Sequence, residues 1–119
     1  MAASPVIALV IPEGADFVQE FFAVDEEGNP VDLTGYDDLR AEFRITQSPT
    51  GTLEATATVS LTTPSLGGFK IVIDHDDTYA MSATSGFWTC QLEDTSVPES
   101  RFTPVRGTYT LEATTIVTP

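Results

Sequence analysis

Gly28-Asn29-Pro30-Val31-Asp32-Leu33-Thr34-Gly35-Tyr36 lies between two runs that read as extended chain, and its turn residues decide how those runs meet. Gly28 and Asn29 tolerate positive φ, Pro30 fixes its own φ and bars a helix, and Gly35 supplies a second reversal just before Tyr36. The segment is a turn, a short extended piece and a second turn. It forms a corner between strands.

On its N-terminal side, Ala15 to Val24 is rich in Phe and Val and reads as a strand. The adjacent pairs Phe17/Val18 and Phe21/Phe22 muddle its alternation, which predicts burial on both faces or a bulge. Further back, the apolar run Val6 to Ile11, bounded by Pro5 and Pro12, reads as a first strand. It has no basic residue before it and is too short for a bilayer, so neither a targeting peptide nor a membrane span is expected.

On the C-terminal side, Leu39, Ala41, Phe43 and Ile45 alternate with Arg40, Glu42 and Arg44, the mark of a strand with one wet face. Gln47 to Thr52 reads as a turn. Leu53 to Leu61 and Phe69 to Ile73 repeat the period of two, separated by the turn-forming Thr62 to Gly68. Phe87 to Glu93 places Trp88, Cys90 and Leu92 on one side. After a loop over 95–100, Phe102 to about Thr114 places Val105, Tyr109, Leu111 and Ala113 on one side. The break in this pattern is Asp74 to Ser85, where Asp76 or Asp77 could cap one or two helical turns within 76–84, with Tyr79 tucked over the core. Short strands, many threonines and Gly/Pro punctuation predict an all-β antiparallel sandwich in one domain, with Phe43, Trp88, Cys90, Leu92, Tyr109 and Leu111 in its core.

Eighteen acidic residues against five basic ones give the 119-residue chain a net charge of −13. Such a surface repels nucleic-acid phosphates and anionic lipid, so neither is an expected partner. Cys90 is the single cysteine and cannot form an intramolecular disulfide; it reads as a buried thiol. His75 is the single histidine, and no Gly-x-Ser-x-Gly elbow is present, so neither a serine nor a cysteine triad has its parts. Asp74, Asp76 and Asp77 are candidate calcium ligands, but their spacing does not match an EF-hand, and helix capping with solvation is the expected role. Asp25-Glu26-Glu27 and Asp37-Asp38 read as solvated turn surface. No cofactor, small-molecule substrate or enzymatic activity is expected.

The corner residues Gly28, Pro30, Asp32, Leu33, Thr34, Gly35 and Tyr36 carry a resemblance. Together with Ile11-Pro12-Glu13-Gly14, Phe17 and the alternating Leu39 to Ile45, the segment resembles small bacteriophage and prophage virion proteins that share a G-x-P-x-D-L-T-G-Y corner. Some of these are similar to the N-terminal attachment domains of baseplate and receptor-binding proteins. The resemblance implies an Ig-like or jelly-roll-like sandwich and a virion structural role at the tail tip, baseplate or fibre attachment, or as a decoration protein on the capsid. It implies partners among other virion proteins and copies of the chain itself, and synthesis in the bacterial host cytoplasm. Residues 1–12 and 114–119 are the expected contact arms. From another class, a carbohydrate-binding module would need Trp88, Tyr79 and Tyr36 exposed in one row.

Overall fold

The computed structural model describes residues 6–48, 50–81, 84–97 and 101–112. The alternating segments form seven strands: β1 (Leu9–Pro12), β2 (Phe17–Phe22), β3 (Asp38–Arg44), β4 (Leu53–Leu61), β5 (Gly68–Ile73), β6 (Ser85–Glu93) and β7 (Phe102–Glu112). One short helix, α1 (His75–Ala80), lies between β5 and β6. No described helix is long and apolar enough to cross a membrane.

Hydrogen bonding links the strands in the order β1-β7-β6-β3-β4-β5-β2. The series becomes two layers at β4, which pairs with β3 through residues 53–57 and with β5 through residues 58–61. The adjacency of β2 and β5 in one layer, and of β3, β6 and β7 in the other, matches the B–E and C–F–G neighbours of an immunoglobulin-like sandwich. A jelly roll would require eight strands.

Rings from both layers meet in the middle. Trp88 on β6 lies 5.6 Å from Phe21 on β2 and 5.9 Å from Phe43 on β3, while Phe21 continues to Phe69 at 5.6 Å and Phe43 to Tyr109 at 5.4 Å. Trp88 is 1% exposed, and Phe43, Cys90, Leu92 and Tyr109 are equally enclosed. The expected core is therefore present, with Leu111 half-buried against it. Antibody domains place a disulfide between strands B and F. In this chain the Phe21–Trp88 contact bridges those two strands.

Several expectations need correction. The ladder of β1 with β7 is parallel, from Leu9↔Tyr109 to Pro12↔Glu112, and so departs from the antiparallel rule. β2 is not buried on both faces: Phe17 faces inward, but Val18 and Phe22 are 59% and 55% exposed and its register with β5 is unbroken. It is an outer strand, so its second apolar face meets no layer. The helix starts at His75, one residue before the expected span, because Asp74 caps it by accepting from the Asp76 amide; Asp76 and Asp77 fall within the first turn. Residues 82 and 83 lie outside the described residues.

The first strand is also not a loose arm. Leu9 and Ile11 are buried, the Ile7 amide donates to the Arg106 carbonyl at 2.8 Å, and Trp88 Nε1 donates to the Ile7 carbonyl at 3.0 Å. Gly107 makes this approach possible, since a Cβ there would collide with the Ile7 carbonyl. Residues 1–5 and 113–119, which include the expected C-terminal arm, lie outside the described residues.

On β7 the alternation changes phase. Cys90 pairs with Val105 and Leu92 with Phe102, so two steps on β6 meet three on β7 and both Pro104 and Val105 turn inward. Proline is tolerated at such a bulge because no ladder amide is required of it.

Replacing Trp88 with alanine (W88A) would remove the contacts to Phe21 and Phe43 together. It should lower the unfolding free energy by about 3–5 kcal/mol in a urea titration followed by far-UV circular dichroism. Tyr79, expected to cover the core, is instead 41% exposed while Thr78 is the buried residue of α1, so Tyr79→Ala should stay within about 0.5 kcal/mol of the unmodified chain.

Candidate functional site

The corner folds as the turn residues dictate, with Gly28 and Gly35 at φ of 84° and 95°. In the first turn the Asp25 carboxylate accepts from the Glu27 and Asn29 amides at 3.0 and 2.9 Å, and Pro30 bridges to Val24. In the second, Asp32 accepts from the Thr34 amide at 2.9 Å, and hydrogen bonds from the Thr34 hydroxyl and amide hold its carboxyl below the usual range. Leu33 between them is fully buried, and Tyr36 packs edge-on against Phe102 at 5.4 Å. The corner is thus a docked structural segment. Its conspicuous residues set backbone geometry or fill the core, and none presents a reactive group.

The flanking acidic pairs do more than face water. Asp37 accepts from the Thr95 amide and hydroxyl at 2.9 and 2.7 Å, tying the corner to the loop after β6, and Asp38 forms a bidentate pair with Arg40 at 2.9 Å. Hydrogen bonds from Thr95 and Arg40 respectively lower both carboxyl pKa values. Exposed ion pairs such as Asp38–Arg40 contribute little stability.

Of the candidate metal ligands, Asp74 and Asp76 surround His75, at 3.0 Å from Nδ1 and 3.6 Å from Nε2, while Asp77 lines a shallow hollow with Leu53 and Ala80. Asp16, 59 residues away in sequence, completes the group by accepting from the His75 amide at 2.8 Å and lying 2.9 Å from Nδ1. Asp16, Asp74 and His75 could bring three ligand atoms within 4.8 Å of one another. In the structure these atoms bond to each other and cap the helix, and this joins α1 to the turn before β2. Thr78 strengthens the same joint: its hydroxyl donates to the Ala15 carbonyl at 2.8 Å and accepts from the Gly14 amide at 3.1 Å. Sequence reasoning missed Asp16 and Thr78, because nothing local marks a polar residue whose partner is some 60 positions distant.

A groove of about 250 Å³ runs over the outer face of β3 and β6, between Arg40, Glu42 and Arg44 on one strand and Phe87, Thr89 and Gln91 on the other. Its cations are already engaged: Arg44 donates to the Gly51 carbonyl at 2.7 Å and to Glu42 at 2.9 Å, and Arg40 is held by Asp38. The groove offers packing and hydrogen bonding, with the hydroxyls of Thr46, Ser48 and Thr89 in its lining. Burial pushes the Cys90 thiol up to about 12, so it stays protonated near neutrality. The aromatic row required for sugar stacking does not form, since Trp88 is interior and Tyr36 is packed on Phe102.

No protein-family model matches the sequence, and no curated protein matches it. Among solved structures, a chain from work on T cell specificity and activation by the bacterial superantigen toxic shock syndrome toxin-1 is similar at 11% identity. That likeness spans 88% of this chain and 92% of the other, with a TM-score of 0.49. A chain from a study of multimeric cell-adhesive interactions of VGSC beta subunits is similar at 9% identity, over 96% of each chain, with a TM-score of 0.41. Tim-1 is similar at 11% identity, over 98% of this chain and 99% of its own, with a TM-score of 0.40. The assignment of the sandwich rests on strand order and not on these likenesses.

The hydrogen bond that the His75 ring donates to the Asp16 carboxylate, aided by the charges of Asp74 and Asp76, raises the His75 pKa above its ordinary 6.5. A raised folded-state pKa means that this stabilisation is fully present below 6.5 and is lost as pH rises through the folded value. An NMR titration of the imidazole should show a midpoint above 6.5, and Asp16→Asn should return it toward 6.5.

Proposed function

We propose that this chain is a non-catalytic structural protein of a bacteriophage virion, working through protein–protein contacts at the tail tip, baseplate or fibre attachment. The observation that carries this reading is where the chemistry-bearing side chains go. Trp88, Cys90 and Tyr109 are enclosed in the core, the carboxylates of Asp25, Asp32 and Asp37 lock turns, and the outer edge of β2, paired with no other described strand, has Val18 and Phe22 exposed. Sheet edges and apolar surface residues of this kind are means of assembly. The resemblance of the 28–36 corner to virion proteins supplies the biological setting, and the docked corner fits a part that sets shape rather than one that binds a ligand.

The acidic surface has a consequence for partners. A net charge of −13 favours an adjoining subunit with basic patches, and such a contact weakens as salt screens it. Mass spectrometry of gradient-purified particles, from a bacterium carrying the gene and induced to release phage, tests the placement. The chain should be present at a fixed stoichiometry to the major tail proteins. Particles that are intact and infectious without it would overturn the proposal.

A further inference from the structure

The outer edge of β2 has an unusual combination of properties. Its six residues pair in unbroken register with β5, from Phe17↔Ile73 to Phe22↔Gly68, and no described strand lies on the other side. Natural edge strands are blunted by lysine, proline, a bulge or short length. β2 has none of these, and Glu20 is its one charge. The edge strand at the opposite end of the series, β1, is four residues long and ends in Pro12.

The sequence contains a matching element. After Glu112 come Ala113-Thr114-Thr115-Ile116-Val117-Thr118-Pro119, with five consecutive β-branched residues, no charge and proline only at the last position. These residues lie outside the described structure, and as extended chain they reach about 23 Å, enough to run the length of β2. Glu112 is anchored at the pole where the β1–β2 turn sits, its carbonyl accepting from the Glu13 amide at 2.9 Å. To lie on the β2 of its own chain the segment would have to reverse at once. Ala113-Thr114-Thr115 holds no glycine, asparagine, aspartate or proline to make that turn. A neighbouring copy can receive it without a reversal.

We propose that residues 113–118 of one copy add as a strand to the free edge of β2 in a second copy, alongside Phe17–Phe22. Main-chain hydrogen bonds supply the affinity, and the β-branched side chains cover Val18 and Phe22. Because donor segment and acceptor edge are different surfaces, the contact is head-to-tail and builds rings or filaments. The inference rests on the assembly reading for its purpose, but the contact is measurable on the isolated protein. Loss of one claim therefore leaves the other standing.

Two variants test it by sedimentation velocity. A chain ending at Glu112 keeps the acceptor and loses the donor; Val18→Lys keeps the donor and places a charge at the exposed acceptor. Both should retain the near-ultraviolet signal of buried Trp88. The full chain should self-associate with rising concentration, each variant alone should associate at least tenfold more weakly, and an equimolar mixture of the two should form a one-to-one dimer, the Val18→Lys tail on the free edge of the truncated chain, and nothing larger. Mixing the Glu112-terminated chain with a synthetic 113–119 peptide should protect the Phe17–Phe22 amides from hydrogen exchange. Self-association unchanged by the truncation would overturn the proposal. So would a monomeric full chain with those amides already protected, which would place the segment on its own β2, and so would a full chain monomeric at every concentration.

Discussion

The contact between Trp88 and Phe21 joins the two layers of this sandwich, and most of the remaining structure depends on it. Without a disulfide, the strands in the B and F positions are held by ring packing. Trp88 also stacks on Phe43 and hydrogen-bonds the Ile7 carbonyl, so one side chain connects β2, β3, β6 and the chain leading into β1. Burying an indole favours folding only if its N–H finds an acceptor. The parallel docking of the first strand provides one, and the absence of a side chain at Gly107 lets that strand come close enough.

At the pole where β1 turns into β2, a second and more polar set of constraints operates. Thr78 binds the backbone of Gly14 and Ala15, and Asp16 binds His75, so a six-residue helix too short to be stable alone is fixed by tertiary bonds at both its first turn and its buried face. At the far pole the corner is closed by its own Asx turns and by the bond from Thr95 to Asp37. Of the acidic residues that suggest metal binding in the sequence, Asp74 accepts from the Asp76 amide as a helix cap, while Asp76 lies against the His75 ring.

Electrostatics and topology bear together on what the surface can do. Most of it carries negative charge, which keeps copies apart and discourages nonspecific contact. The edge of β2, with Glu20 as its one charge, and the groove over β3 and β6, with its ion-paired arginines, are two places where few unpaired charges lie. A protein arranged in this way can be highly soluble as a monomer and still meet a partner at a defined strip of backbone.

The period of two in residues 39–44, 69–73 and 87–93 was enough to determine strands and their inward faces, because alternation depends only on local backbone geometry and one buried side, whereas Ile45, expected inward, lies past the end of β3 and is exposed. Turn chemistry likewise determined the corner at 28–36 from glycine and proline alone. What only the tertiary structure decided is everything that required a partner distant in the chain: the parallel pairing of β1 with β7, the sharing of β4 between layers, the exposure of Val18 and Phe22 on an outer strand, and the meeting of Asp16 with His75. A strand's sequence records that one face is buried, but not which strand lies beside it or whether a second layer covers its other face. Those depend on how the whole chain closes around Trp88.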